Sequence, residues 1–435
     1  MNTETFNQEL LLFLQQSPTP FHAVASLSAL LKQAGFTLLS EADSWQLEQK
    51  TGYYVVRNDS SVAAFKTGAN EMVESGFRIA GAHTDSPCLK IKPSPELSKH
   101  GYSQLGVEVY GGALLHPWFD RDLSIAGRVD FECDDGSLQS VLVNLKEPIA
   151  FIPSLAIHLD RTANEGRKID KQKELPPILV QLSADEKFEF NQFLLTHLQR
   201  SLKLESAVKI LSHELLLYDV QPPSLVGLQK QFIASARLDN LLSCFLSLQA
   251  LINSDDEFPS VLICNDHEEV GSVSASGAEG PFLKSVLQRM LASTQSDHTN
   301  SDAFDRAMNK SVLLSIDNAH GSHPNFSDKH DESHRPLLNA GPVIKVNANQ
   351  RYASNSKSIA LFKSLCNKLK IKHQSFVMRS DLACGSTIGP ITAASLGVNT
   401  VDVGVASFAM HSIREFAGVE DAVSLAKVTT AFYNR

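Results

Sequence analysis

The sequence predicts an α/β protein in which a mixed sheet is sandwiched by helices and interrupted by a smaller, β-rich insertion. Two observations predict it. Near both ends of the chain, short apolar runs such as "GYYVVRN", "SVAAFKT" and "FRIAGAHTD" alternate with helical patterns, the order of a layered sheet covered by helices. From about 96 to 232 the texture changes: "GVEVYGG", "IAGRVDFEC" and "LQSVLVNL" alternate apolar and polar residues between Gly or Asp turns. A chain of 435 residues is also too long for one ordinary core. We therefore expect a discontinuous domain of residues 1–95 and 233–435 around an inserted domain of residues 96–232.

Taken in order, Phe6, Leu10, Phe13 and Leu14 recur at helical spacing until "SPTP" at 17–20 stops the helix. A second helix follows through "FHAVASLSALLKQAG" and closes at Gly35. Inside the insertion, "EFNQFLLTHLQRSLK" reads as one helical patch. After "QFIASARLDN" the alternation of helix and strand resumes and runs to the end.

Composition narrows the function. The chain is 43% apolar and 20% charged, with 39 basic against 48 acidic residues and a formal charge of −9. That balance argues against nucleic acid or an anionic membrane as partner. The early run "LLLFL" is far short of the ~20 residues that span a bilayer, and "MNTETFNQE" lacks the basic region of a secretory signal. Six scattered cysteines contain no C-x-x-C pair and read as reduced thiols, which points to the cytoplasm.

The chemistry is carried by polar residues at the ends of apolar runs. "RIAGAHTDSP" ends on His83 and Asp85, "ASARLDN" on Asp239, "VLLSIDNAH" on Asp317 and His320, and "VDVGVASFAMHS" on His411. The stretch "CNDHEEVGS" places Glu268 and Glu269 side by side after Val261–Ile263. Adjacent carboxylates beside a core repel each other and are poorly solvated, so they call for a positive partner. One His or Asp at a strand end is ordinarily a turn residue. Several converging at one sheet edge, with no thiolate, could hold a pair of divalent cations ~3.5–4 Å apart. Their N/O set suits Zn²⁺ and would take Co²⁺ or Mn²⁺. One glutamate can then coordinate while its neighbour acts as general base on water. We assign Glu269 to metal and Glu268 to proton transfer, an order that spacing alone leaves open.

Together "GAHTDSP", "SARLDN", "DHEEVGS", "DNAHGSHPN" and "RSDLACGSTIGP" resemble the aspartyl aminopeptidase family of dinuclear zinc metallo-aminopeptidases, from "SPTPFHAV" to "MHSIRE". The resemblance implies a mixed-sheet zinc-peptidase domain and removal of the N-terminal residue from small peptides, with Asp or Glu preferred. It implies that Asp239 bridges two metals, that His83 and Asp317 complete one site, and that Glu269 and His411 complete the other. Asp85 would orient His83, and Glu268 would be the catalytic glutamate. Substrate contacts would come from His158, a possible metal contact, with Lys345 and Tyr352; His320 would lie near the substrate. The insertion would pair subunits, carry His158 into a neighbour's active site, and build a tetrahedral dodecamer from dimers. His267 departs from the family, which more often has a smaller polar residue there. The alternatives are a dimetal carboxypeptidase or deacylase of the same fold group, and a non-catalytic assembly protein with structural metals. The spare Glu268 and the absence of Cys from these sites favour chemistry. "CGSTIGP" at 384–390 reads as a turn that could cradle substrate backbone, and His323, His330 and His334 as hydrogen-bonded loop histidines.

Overall fold

The computed structural model describes residues 2–183, 185–294 and 302–435. It divides into two compact units, Met1–Ser86 with Pro223–Met410 and Glu415–Arg435, and Pro87–Pro222 with His411–Arg414.

In the first unit a mixed nine-stranded sheet lies between two helical layers, as the sequence predicts. Its centre is four parallel strands in the order Ser260–Asn265, Arg78–His83, Val312–Ile316 and Asn399–Gly404. They are near-continuous apolar runs because both faces are covered. Successive side chains go to opposite sides: Ala80, Leu262, Cys264, Leu314 and Ile316 enter one core, while Ile79, Val261, Ile263 and Leu313 enter the other. Asn265 pairs with His83, and Ser315 with Gly81, so the strands finish nearly level at their carboxyl ends. That edge is where ligands bind in parallel sheets.

The first core is built largely from helices. Thr3–Gln16 and Pro20–Gln33 are separated by the prolines the sequence flags, and the second is capped by the Thr19 side chain with Pro20 at its first turn. Gly35, with φ +86°, follows its end in the left-handed region that favours glycine. Helix Leu238–Ile252 is buried along nearly its whole length. Its Phe245, 1% exposed, meets the rings of Phe6 at 5.2 Å and Phe13 at 5.4 Å. Phe245→Ala is expected to cost ~3–5 kcal/mol through the cavity it leaves, read from urea unfolding. A five-stranded sheet, in the order Ser224–Val226, Phe232–Ser235, Glu415–Gly418, Ala406–Phe408 and Ala319–His320, completes this unit.

The second unit is a six-stranded antiparallel sheet formed by Leu138–Asn144, Leu123–Cys133, Ala207–Asp219, Cys88–Lys99, Tyr102–Tyr110 and Ile178–Gln181. Helix Phe190–Arg200 covers it with Phe190, Leu194 and Leu198 buried. The expected cut at 95/96 falls inside the strand Cys88–Lys99. Pro93 and Pro95 look like strand breakers in sequence, but they lie where the pairing register shifts between Ile91 and Glu96, and such irregularities tolerate proline. At the other edge, residues 223–232 belong with the first unit, because Ser224–Val226 pairs with Phe232–Ser235.

All six cysteines are free thiols, five of them buried. Among the described residues no helix is long and apolar enough to cross a membrane.

Candidate metal centre

His83 is the last residue of a central strand and is 1% exposed. Its Nδ1 lies 3.1 Å from the backbone carbonyl of Asp85. A carbonyl can only accept, so this contact puts a ring proton on Nδ1 and turns Nε2, which can take a cation or a second proton, to the other side. Nε2 faces carboxylates: Asp239 Oδ1 at 3.5 Å, Asp317 Oδ1 at 3.7 Å and Glu268 Oε2 at 4.0 Å. These separations exceed good hydrogen bonds. They approach the ~3.3 Å expected between two atoms each ~2 Å from one tetrahedral zinc. Asp317 Oδ1 is buried and makes no hydrogen bond, which suits a cation ligand. His83, Asp239 and Asp317 place donor atoms within 4.8 Å of one another, and so do His83, Glu268 and Glu269. An oxygen of Asp239 and one of Glu269 also fall within that distance. The donor set fits a divalent cation of zinc's character.

Charge balance points the same way. Burial opposes protonation of the His83 ring, yet Glu268, Asp239, Asp317 and Asp85 overrule it and hold the ring well above its usual range. Burial, opposed by His83 and reinforced by Asp317, Asp239 and Asp85, pushes the Glu268 carboxyl up to about 7. Burial, then Asp239, raises Glu269 well above the carboxylate range. Asp317 goes the other way: burial would raise it, but Lys345 and His83 hold it far below the ordinary value. Negative charge is in excess here, which is the condition a bound cation relieves.

The Asp85 carboxylate does more than the sequence suggests. It is fully buried, and its Oδ1 and Oδ2 accept the backbone N–H groups of Glu268 at 3.1 Å and Glu269 at 3.0 Å. Oδ1 also lies 3.4 Å from His83 Nδ1. One side chain thus fixes both the ring and the two-glutamate turn. Asp85→Asn leaves a single acceptor for two amides, and a ~10–100-fold loss of zinc affinity is expected in chelator competition.

Asp239 is held through its backbone. Its N–H donates to Glu415 Oε2 at 2.9 Å, and its carbonyl accepts from Ser86 Oγ at 2.6 Å. Neither partner is apparent from sequence, since Glu415 lies 176 residues away. Lys345, read as a substrate contact, is 1% exposed and already engaged. Its Nζ donates to Asp317 Oδ2 and to the Asn318 carbonyl, both at 3.1 Å, and lies 5.0 Å from the centre of the Tyr352 ring. His320, half-buried three residues beyond Asp317, packs edge-on against Phe376 at 5.6 Å. His267 is occupied within its own loop, with Nδ1 2.9 Å from Ser274 Oγ and Nε2 3.4 Å from Asp266. His334 binds Asp331 at 2.6 Å, and His323 accepts from Asn325 N–H, as loop histidines do.

Two expected residues lie in the second unit. His158 is exposed on a loop whose Leu155, Ile157 and Leu159 are exposed as well. His411 falls in the segment His411–Arg414, where its Nδ1 is 3.2 Å from the Gly112 carbonyl and its own carbonyl accepts Leu114 N–H.

Imidazole and carboxylates gathered at the carboxyl ends of parallel strands, with more carboxylates than one cation needs, make the arrangement of a metal-dependent hydrolase. The family described as aminopeptidase I zinc metalloprotease (M18) matches residues 13–433, and the chain belongs to it. The protein is a zinc-dependent aminopeptidase. It is 56% identical over 430 residues to the probable M18 family aminopeptidase 2 of Pseudomonas fluorescens (strain Pf0-1), covering 99% of this chain and 98% of that protein. Among solved structures it resembles the chain in "Cryo-EM structure of the Ape4 and Nbr1 complex", with TM-score 0.94 and 41% identity over 99% of this chain and 86% of that one. It also resembles the S. cerevisiae mApe1 dodecamer, with TM-score 0.85 and 30% identity over 100% of this chain and 97% of that one.

Proposed function

We propose that this chain is a two-zinc aminopeptidase that releases the first residue of small peptides and prefers Asp or Glu there. The observation that carries it is a carboxylate beyond the ligand set: Glu268 reaches 4.0 Å from His83 Nε2, and its side chain is more open than those of Asp239 and Asp317. In this reading His83 and Asp317 would hold one zinc, Glu269 and His411 the other, and Asp239 both. Co²⁺ or Mn²⁺ would fit the same donors. Zinc held there would polarise the scissile carbonyl and lower the pKa of water. Glu268 removes a proton from the attacking water and returns it to the leaving amine. Asp85, by accepting the Glu268 and Glu269 backbone N–H groups, holds the turn that carries both glutamates.

The acidic preference is supported by the ammonium of Lys345 beside the carboxylates. Because that group is bonded to Asp317, a substrate carboxylate would compete with Asp317 for it. His158, His320 and Tyr352 are assigned to substrate, with His158 delivered from a second copy. The dodecamer formed by the S. cerevisiae relative mApe1 and the exposed apolar loop around His158 support homo-oligomers, a tetrahedral dodecamer built from dimers. Six free thiols support the cytoplasm.

The deciding experiment combines metal analysis of the purified protein with chromogenic substrates ending in Asp, Glu, Leu or Lys, each free and N-acylated. Release from free termini alone, fastest for Asp or Glu, is expected. Faster release from Lys rejects the acidic preference, and cleavage of the blocked substrates favours the deacylase reading.

A further inference from the structure

Asp402 is a buried carboxylate outside the candidate ligand set, though the Lys345 ammonium acts on its charge. It lies in the strand Asn399–Gly404 at 0% exposure, where a charge without partners is costly. Its partners are therefore informative. Oδ2 accepts the backbone N–H of Ala353, and Oδ1 accepts the hydroxyl of Thr387, each at 2.6 Å. The Asp402 N–H donates to Ser354 Oγ at 2.9 Å.

Thr387 passes the tie onward. It caps the helix Ile388–Leu396, its Oγ1 accepting Gly389 N–H at 3.2 Å. The first turn of that helix lies against the carboxylate, and a Cβ on Gly389 would stand 2.5 Å from both Asp402 oxygens. Only glycine permits this approach. Ser386 adds a second link by donating to the Arg351 carbonyl at 3.3 Å. Two segments distant in sequence, 351–354 and the 384–390 turn, are thus joined through one side chain. Between the tied residues sits Tyr352, with its ring 5.0 Å from Lys345 Nζ and 6.4 Å from Phe376.

We propose that Asp402 is a positioning residue for the substrate-contact segment around Tyr352, holding that segment and the 384–390 turn in register. The proposal rests on the reading of Tyr352 as a substrate contact. The two loops have no common secondary structure, so a buried acceptor between them sets their spacing. A carboxylate suits that place because it accepts on both oxygens, whereas Asp402→Asn leaves one acceptor for two donors.

The test is steady-state kinetics on the free-terminus substrate that the wild type cleaves fastest. It compares Asp402→Asn, Thr387→Val, Thr387→Ser and the double variant Asp402→Asn/Thr387→Val, with zinc content and thermal unfolding measured for each. Asp402→Asn and Thr387→Val are expected to raise KM roughly tenfold, the effect of losing one hydrogen bond to a charged group. Their kcat and zinc content should stay near native, and Thr387→Ser should restore KM. The double variant should be no worse than the poorer single one, because both remove the same tie. Native KM in a folded, zinc-containing Thr387→Val overturns the proposal. So do single effects that multiply in the double variant, or losses that track zinc content. If Asp402→Asn does not fold, Thr387→Val against Thr387→Ser decides. Failure of the aminopeptidase reading looks different: the wild type itself would release nothing from peptides with free termini.

Discussion

Glu268→Gln is expected to lower kcat by at least ~10², the lower end for a lost general base, while the protein keeps its zinc and its fold. The substitution preserves shape, and the Glu268 backbone N–H still donates to Asp85 Oδ1. What disappears is a carboxylate able to take and return a proton 4.0 Å from His83 Nε2. Turnover by single-turnover and steady-state assay, with zinc measured on the same preparation, checks it. Near-native kcat in the zinc-loaded variant would move the base elsewhere, and Glu269 would be the next residue to change.

Asp239→Ala should have the larger effect on the metal. Asp85 acts on the centre through other residues, so its loss should cost the ~10–100-fold in zinc affinity typical of such partners. Asp239 instead offers oxygen to both neighbouring groups of donors, His83 with Asp317 on one side and Glu269 on the other. Its removal is expected to exceed that range and to abolish activity at ordinary zinc concentrations. The fold should survive, because the backbone bonds of Asp239 to Glu415 and Ser86 are kept in the variant. Chelator competition and equilibrium dialysis give the affinity, and unfolding curves verify the fold. Native zinc stoichiometry in this variant would refute Asp239 as the shared ligand.

The candidate residues were legible because two of the central strands lead straight into them. Each is a short apolar run, with "RIAGAH" ending on His83 and "VLLSI" followed at once by Asp317. The adjacent pair Glu268–Glu269 stood out for the opposite reason, as charge where burial makes charge expensive. Lys345 shows where that legibility stops. Its charge was visible, but nothing in "GPVIKVNANQ" tells that its ammonium is bonded to Asp317 and the Asn318 carbonyl. The change of texture near 96 likewise did not mark a strand end, because Cys88–Lys99 runs on through a register shift between Ile91 and Glu96.

From its order of residues alone, this protein determined its α/β class, its strand-end histidines and carboxylates, and the need for positive charge beside them. Those are properties of neighbours in the chain, set by periodicity and by the cost of burying ions. Only the tertiary structure decided that Asp85 grips the glutamate turn, that Glu415 anchors Asp239, and that Asp402 joins two loops. A hydrogen bond spanning 176 residues depends on where strands and helices bring the backbone, and no local pattern encodes that meeting.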